Sequence, residues 1–232
     1  MSNKKIKIAF TLAEVLITLG IIGVVSAMTM QIIKNIRNAH TATALRKSYS
    51  ILAQATEMVA QDLGVDVKDW EYTQYREPDN SKTDLILDSY NKVLKYRDVC
   101  NTYYNINCPN GIKKRIASVD NSYKKMNGDK YFSFWTYRVY EMNDGSIITI
   151  KPAVSITGVN WDIIQDLKGK IKFTVDLNGY AKPNQAGKDL FYFVIDINTN
   201  KLVPAYGDDC TKDSTGYGCA RRIMNNNWKI DY

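Results

Sequence analysis

The chain contains a single histidine, His40. That excludes a multi-His metal centre and leaves little basis for His-dependent catalysis. Proline is also scarce, with five in 232 residues and the first at Pro78. Nothing upstream of it removes a backbone donor and interrupts a helix. No Gly-rich phosphate loop, serine nucleophile elbow or paired-carboxylate motif stands out, and no enzymatic activity is expected. Charge of one sign does not dominate. The formal net charge is +7, and the 31 Lys and Arg are scattered among 24 Asp and Glu. A nucleic-acid binder concentrates its basic residues, so no specific nucleic-acid binding is expected. The mean hydropathy is negative, which argues against several membrane spans. The hydrophobic fraction of 45% is ample for a packed core and excludes general disorder. There is no internal repeat and no low-complexity tract.

The N-terminus departs from these averages. Lys4, Lys5 and Lys7 precede an apolar run from Phe10 to Met30 whose one charged residue is Glu14. As a helix this run measures about 31 Å, close to the thickness of a bilayer core. Basic residues ahead of it favour a cytoplasmic N-terminus, but Lys34, Arg37, Arg46 and Lys47 lie on the other side. An ordinary signal peptide would use Val25-Ser26-Ala27 as its cleavage site and release a secreted or membrane-tethered binding protein after Ala27. An ordinary signal anchor fits the length better. Neither accounts for Glu14, since a carboxylate within an apolar span is costly and normally has a task.

Residues 4–25, KKIKIAFTLAEVLITLGIIGVV, combine a short basic leader, Phe-Thr-Leu-x-Glu and a glycine-containing apolar helix. This segment resembles the class III signal of type IV pilins and type II secretion pseudopilins. The resemblance implies cleavage by a prepilin peptidase between Ala9 and Phe10 and methylation of the new Phe10 amine. Ala9, a small residue, stands where the family usually has glycine. The resemblance also gives Glu14 a role: its carboxylate attracts the N-terminal ammonium of a neighbouring subunit and sets the register of assembly. The implied partners are the prepilin peptidase, other pilin or pseudopilin subunits, the secretion or pilus assembly platform and the membrane. The implied location is a single pass in the inner (cytoplasmic) membrane before assembly, with the N-terminus cytoplasmic and the head periplasmic or extracellular.

The helix is expected to continue. Leu45, Tyr49, Leu52, Thr56, Val59 and Leu63 recur at spacings of four and three, with Arg46, Lys47, Gln54, Gln61 and Asp62 opposite. That is the period of an amphipathic helix, and Gly64 can supply its left-handed cap. The alternative is two helices joined near Lys34–His40. The expected organisation is a leader (1–9), a membrane and assembly half-helix (10–33), an amphipathic half-helix (34–63) and an α+β head (64–232). In the pilin-like layout, the long helix packs on a C-terminal antiparallel sheet.

Within the head, residues 65–80 read as a polar stretch in which Pro78-Asp79-Asn80 signals a turn, and Ser81-x-x-Asp84 signals a helix start before Leu85–Arg97. Tyr131–Met142 and Ser146–Ile150 flank Asn143-Asp144-Gly145 as a hairpin. Ile171, Phe173, Val175 and Leu177 alternate with polar residues, as Phe191, Phe193, Ile195 and Ile197 also do. These patterns predict about four half-buried strands with one apolar face. Cys100/Cys108 and Cys210/Cys219 form two local pairs. Of three connectivities, local pairing closes the shortest loops, and cysteines beyond a membrane segment suit an oxidising exterior. A zinc site and free buried thiols are the alternatives. The loop containing Asp176, Asn178 and Asp189 is either a calcium site or a turn-rich strand connection. No other cofactor is expected. Arg221 and Arg222 near the C-terminus could meet an acidic partner or simply be solvated.

Overall fold

The computed structural model describes residues 11–70, 81–101, 108, 111–112, 115, 122–130, 138–152, 171–196, 198–207 and 210–232. The leader, the cleavage point Ala9–Phe10, the turn at Pro78–Asn80 and the first part of the expected Tyr131–Met142 strand lie outside them.

Helix α1, Leu12–Leu63, is unbroken over 52 residues. Gly64 follows it at φ 67°, in the left-handed region that glycine enters without a steric penalty. The N-terminal stretch to His40 is a structural unit separate from Thr41–Tyr232. Its large apolar residues from Leu12 to Ile36 are exposed, and the helix is long and apolar enough to cross a membrane. From Thr41 onward the same helix is amphipathic. Leu45, Leu52, Thr56 and Val59 are buried, and Tyr49 and Leu63 pack against the core more loosely. Arg46, Lys47, Gln54, Gln61 and Asp62 are exposed, as their helical phase requires.

The head is α+β. Among the described residues, β1 (Tyr96–Asn101), β2 (Arg138–Met142), β3 (Ile147–Pro152), β4 (Ile171–Asp176), β5 (Leu190–Asp196) and β6 (Lys201–Pro204) form one sheet in chain order. Every neighbouring pair is antiparallel. Register places Tyr140 opposite Ile148, Ile150 opposite Phe173, and Phe173 opposite Phe193. These side chains form one face of the sheet, covered by Leu45, Leu52, Ala55 and Val59 of α1. Helix α2 (Ser81–Val93) adds Ile86, Leu87 and Tyr90, and α3 (Cys219–Asn225) adds Ala220 and Ile223. Each fully buried aliphatic or Phe side chain contributes about 1.5–3 kcal/mol. Tyr49 fastens α1 to the sheet at its rim, stacking on Phe193 at 5.6 Å and donating its hydroxyl to the Leu202 carbonyl at 3.2 Å.

Three expectations need correction. The helix after Ser81 ends at Val93, not Arg97, because Tyr96–Asn101 adds a strand to the edge of β2. The polar stretch after residue 65 buries Val67 and Trp70; the Trp70 indole donates to the Val65 carbonyl at 3.2 Å. The strands are not half-buried. All of β2 and β4 is buried, as is β5 through Ile195, because a second layer covers the other face. Cys100, Ile112, Tyr123, Val139, Ile147, Ala186, Leu190, Tyr192, Val194 and Ala205 form a separate core there. Alternation in sequence reports only that one face is apolar; it does not show that the polar side meets water.

Both local cysteine pairs are disulfides, Cys100–Cys108 and Cys210–Cys219. The second closes a loop that accepts two backbone hydrogen bonds from the 124–130 hairpin, Met126 to Thr215 and Asn127 to Ser214. The double variant Cys210→Ser/Cys219→Ser is expected to lose about 2–3 kcal/mol. Thermal unfolding followed by circular dichroism should show the midpoint falling by about 5–10 °C.

Candidate functional site

The first candidate is the start of α1. Thr11 is its N-cap and Glu14 its third helical residue, which is the spacing of a capping box. The Thr11 amide and hydroxyl both donate to Glu14 Oε2 at 2.8 Å, and the Glu14 amide donates to Thr11 Oγ1 at 3.3 Å. The box holds the carboxylate against the first turn. It also satisfies amides that a helix leaves unpaired at its N-terminus. Further along, the Thr18 hydroxyl donates to the Val15 carbonyl at 2.9 Å, and that of Thr29 donates to the Val25 carbonyl at 3.0 Å. These polar groups therefore do not need water. A Cβ placed on Gly20 or Gly23 would meet nothing within 4 Å, so packing within the chain does not demand glycine at either position.

The second candidate is the polar side of the sheet, which sequence periodicity assigned to solvent. Glu141 on β2 is buried and receives two arginines. Arg115 binds it through both carboxylate oxygens at 2.8 and 2.7 Å, and Arg97 reaches it at 2.5 Å. The Tyr180 hydroxyl donates to the same carboxylate. Burial alone would raise the Glu141 pKa, but the hydrogen bonds from Tyr180, Arg97 and Arg115 outweigh it and hold the carboxyl below its ordinary range. Lys172 of β4 is also buried, its ammonium 4.9 Å from the Tyr192 ring centre and 5.2 Å from that of Tyr217. Its register partner Lys151 titrates at about 8, lowered by burial and then by the charge of Lys172. On the helix side, the buried Arg138 guanidinium reaches Asp88 of α2 at 2.5 Å. None of these pairings could be found from sequence spacing, because each joins residues on different elements.

The candidate calcium residues are brought together, but their oxygens have other work. Asp176 accepts from the Tyr123 hydroxyl at 2.7 Å and from the Asn178 amide at 3.2 Å. Asp189 accepts from the Asn184 and Gln185 amides at 2.8 and 2.7 Å. Asn178 turns its side-chain amide to the Lys182 carbonyl at 3.1 Å. Burial pushes the Asp176 carboxyl well above the usual carboxylate range, and the neighbouring Asp189 pushes it further. The oxygens organise the loop, as turn residues do. Among the described residues, no group of three or more His, Cys, Asp or Glu is placed to hold a metal ion. At the C-terminus, the Arg221 guanidinium lies 4.0 Å from the Tyr206 ring centre, and Arg222 donates to Asp231 at 2.8 Å. Arg222 is thus paired within the chain.

No protein-family model, curated protein or solved structure matches the chain.

Proposed function

We propose that the chain is a structural subunit, a pilin or pseudopilin, of a type IV pilus or type II secretion pseudopilus. The observation that carries this reading is the division of α1. Its first half exposes an almost uninterrupted apolar surface, while its second half is built into an α+β head. An apolar helix with no cover in its own chain needs lipid or neighbouring helices around it. Both environments are met in turn by a subunit that waits in the membrane and is then drawn into a filament. Glu14, placed by the Thr11 box near the start of this surface, supplies the one charge that can distinguish a correct neighbour from a slipped one. Gly20 and Gly23 give neighbouring helices places of close approach. The head projects outside the cytoplasm, where its two disulfides persist.

Processing tests the proposal. Peptide mass analysis of the protein purified from host membranes is expected to give N-methylated Phe10 as the first residue. A retained leader overturns the proposal. A start at Met28 also overturns it and identifies a released binding protein.

A further inference from the structure

The structure collects lysines that the sequence disperses. Lys124 and Lys130 face each other as an antiparallel bridge, and Lys124 also bridges to Gln185. The Lys124 amide donates to the Asn184 carbonyl, and its own carbonyl accepts from Ala186. These bonds bring Lys182 and Lys188, which flank that segment, to the same corner. On the other side of the hairpin, the Asn127 amide donates to the Ser214 carbonyl and brings in the loop of Lys212. All five lysines are exposed, and among the described residues none is in an ion pair. Among the described residues, the exposed carboxylates here are Asp129 and Asp213. Asp176 and Asp189, in the same loop region, are buried, so the acids remain fewer than the lysines among the described residues. The cluster therefore keeps a surplus of positive charge.

Like charges directly opposed across a strand pair are destabilising, and Lys124 and Lys130 are so placed. A bound polyanion would relieve that repulsion. The partner's kind follows from what the patch lacks. None of the exposed large hydrophobic residues lies within 122–130, 180–190 or 210–216. A surface that inserts into lipid or stacks unpaired bases needs such residues. A surface that reads only an array of phosphates needs flexible cations on polar loops. We infer that the corner formed by Lys124, Lys130, Lys182, Lys188 and Lys212 binds the phosphate backbone of double-stranded DNA without sequence preference.

The test uses the full chain in nanodiscs of zwitterionic lipid, with fluorescence anisotropy of labelled duplexes of about 30 base pairs and two unrelated sequences over about 50–200 mM salt. Both duplexes should bind equally, and log Kd should rise with log salt with a slope of about 3.6–4.5, as expected for four or five phosphates neutralised. Lys124→Glu/Lys130→Glu should weaken binding at least about tenfold and lower the slope by about 2. Lys182→Glu/Lys188→Glu, on a different loop, should do the same if the hairpin variant fails to fold. Lys201→Glu, on the exposed edge strand, should bind as the wild type does. The inference is overturned if both folded charge-reversal pairs bind like wild type. It is equally overturned if phosphatidylglycerol vesicles, polyglutamate or single-stranded DNA are bound as tightly as the duplex.

Discussion

Glu14→Gln should yield a subunit that inserts and is processed but forms no filaments. Glutamine serves the third position of a capping box as glutamate does, so the Thr11 contacts at 2.8 Å have a replacement and the helix start is kept. What disappears is the negative charge. In the proposed filament, the Phe10 ammonium of the adjoining subunit enters a low-dielectric interior, where an ion without a counter-charge is strongly disfavoured. Assembly should therefore fall to background while the amount of cleaved protein in the membrane is unchanged. Sheared filaments and membrane fractions, compared by immunoblot, read the two quantities separately. Wild-type filament yield from Glu14→Gln would show that the charge sets no register.

Glu141→Ala should destabilise the head by about 3 kcal/mol, since removing one member of a buried charge network leaves its partners uncompensated. Arg97 and Arg115 are part-exposed and can recover some solvation, but the Tyr180 hydroxyl loses its acceptor. The pH dependence has a defined sign. The folded Glu141 pKa lies below its ordinary 4.5, so the unfolded chain takes up the proton first as pH falls. The contribution of Glu141 is complete above about pH 5 and is lost as pH drops through its folded pKa. Urea titrations of wild type and Glu141→Gln should therefore show a stability gap that is constant between pH 7 and about pH 5 and narrows below pH 4.5. A gap that does not vary down to pH 3 would contradict the assignment of charge to Glu141.

Much of the fold was legible along the chain. Leu45 to Leu63 repeat with the helical period, and that stripe does cover the sheet. Gly64 marks the helix end because few other residues enter its φ region without strain. The Asn143-Asp144-Gly145 turn joins β2 to β3, with Gly145 at φ 88°. The cysteine pairs were readable because short loops bring their ends together at small entropic cost. The edge strands β1 and β6 were not recognised. Tyr96–Asn101 carries polar residues, and its pairing with β2 depends on a segment about 40 residues away in sequence. The candidate site divides in the same way. Thr11 and Glu14 are three residues apart and visible as a local pattern, whereas Glu141, Arg97, Arg115 and Tyr180 are assembled from strands β1 and β2 and two segments outside the sheet.

By itself the sequence determined the long helix, the apolar character of its first half, and the alternating strands. These depend on periodicity and composition over neighbouring residues. Only the tertiary structure decided that the sheet is covered on both faces, that Lys172, Glu141 and Asp176 lie inside, and that five dispersed lysines share one corner. Those facts depend on contacts between segments far apart in the chain, and side-chain alternation carries no record of what will pack on the far side of a strand.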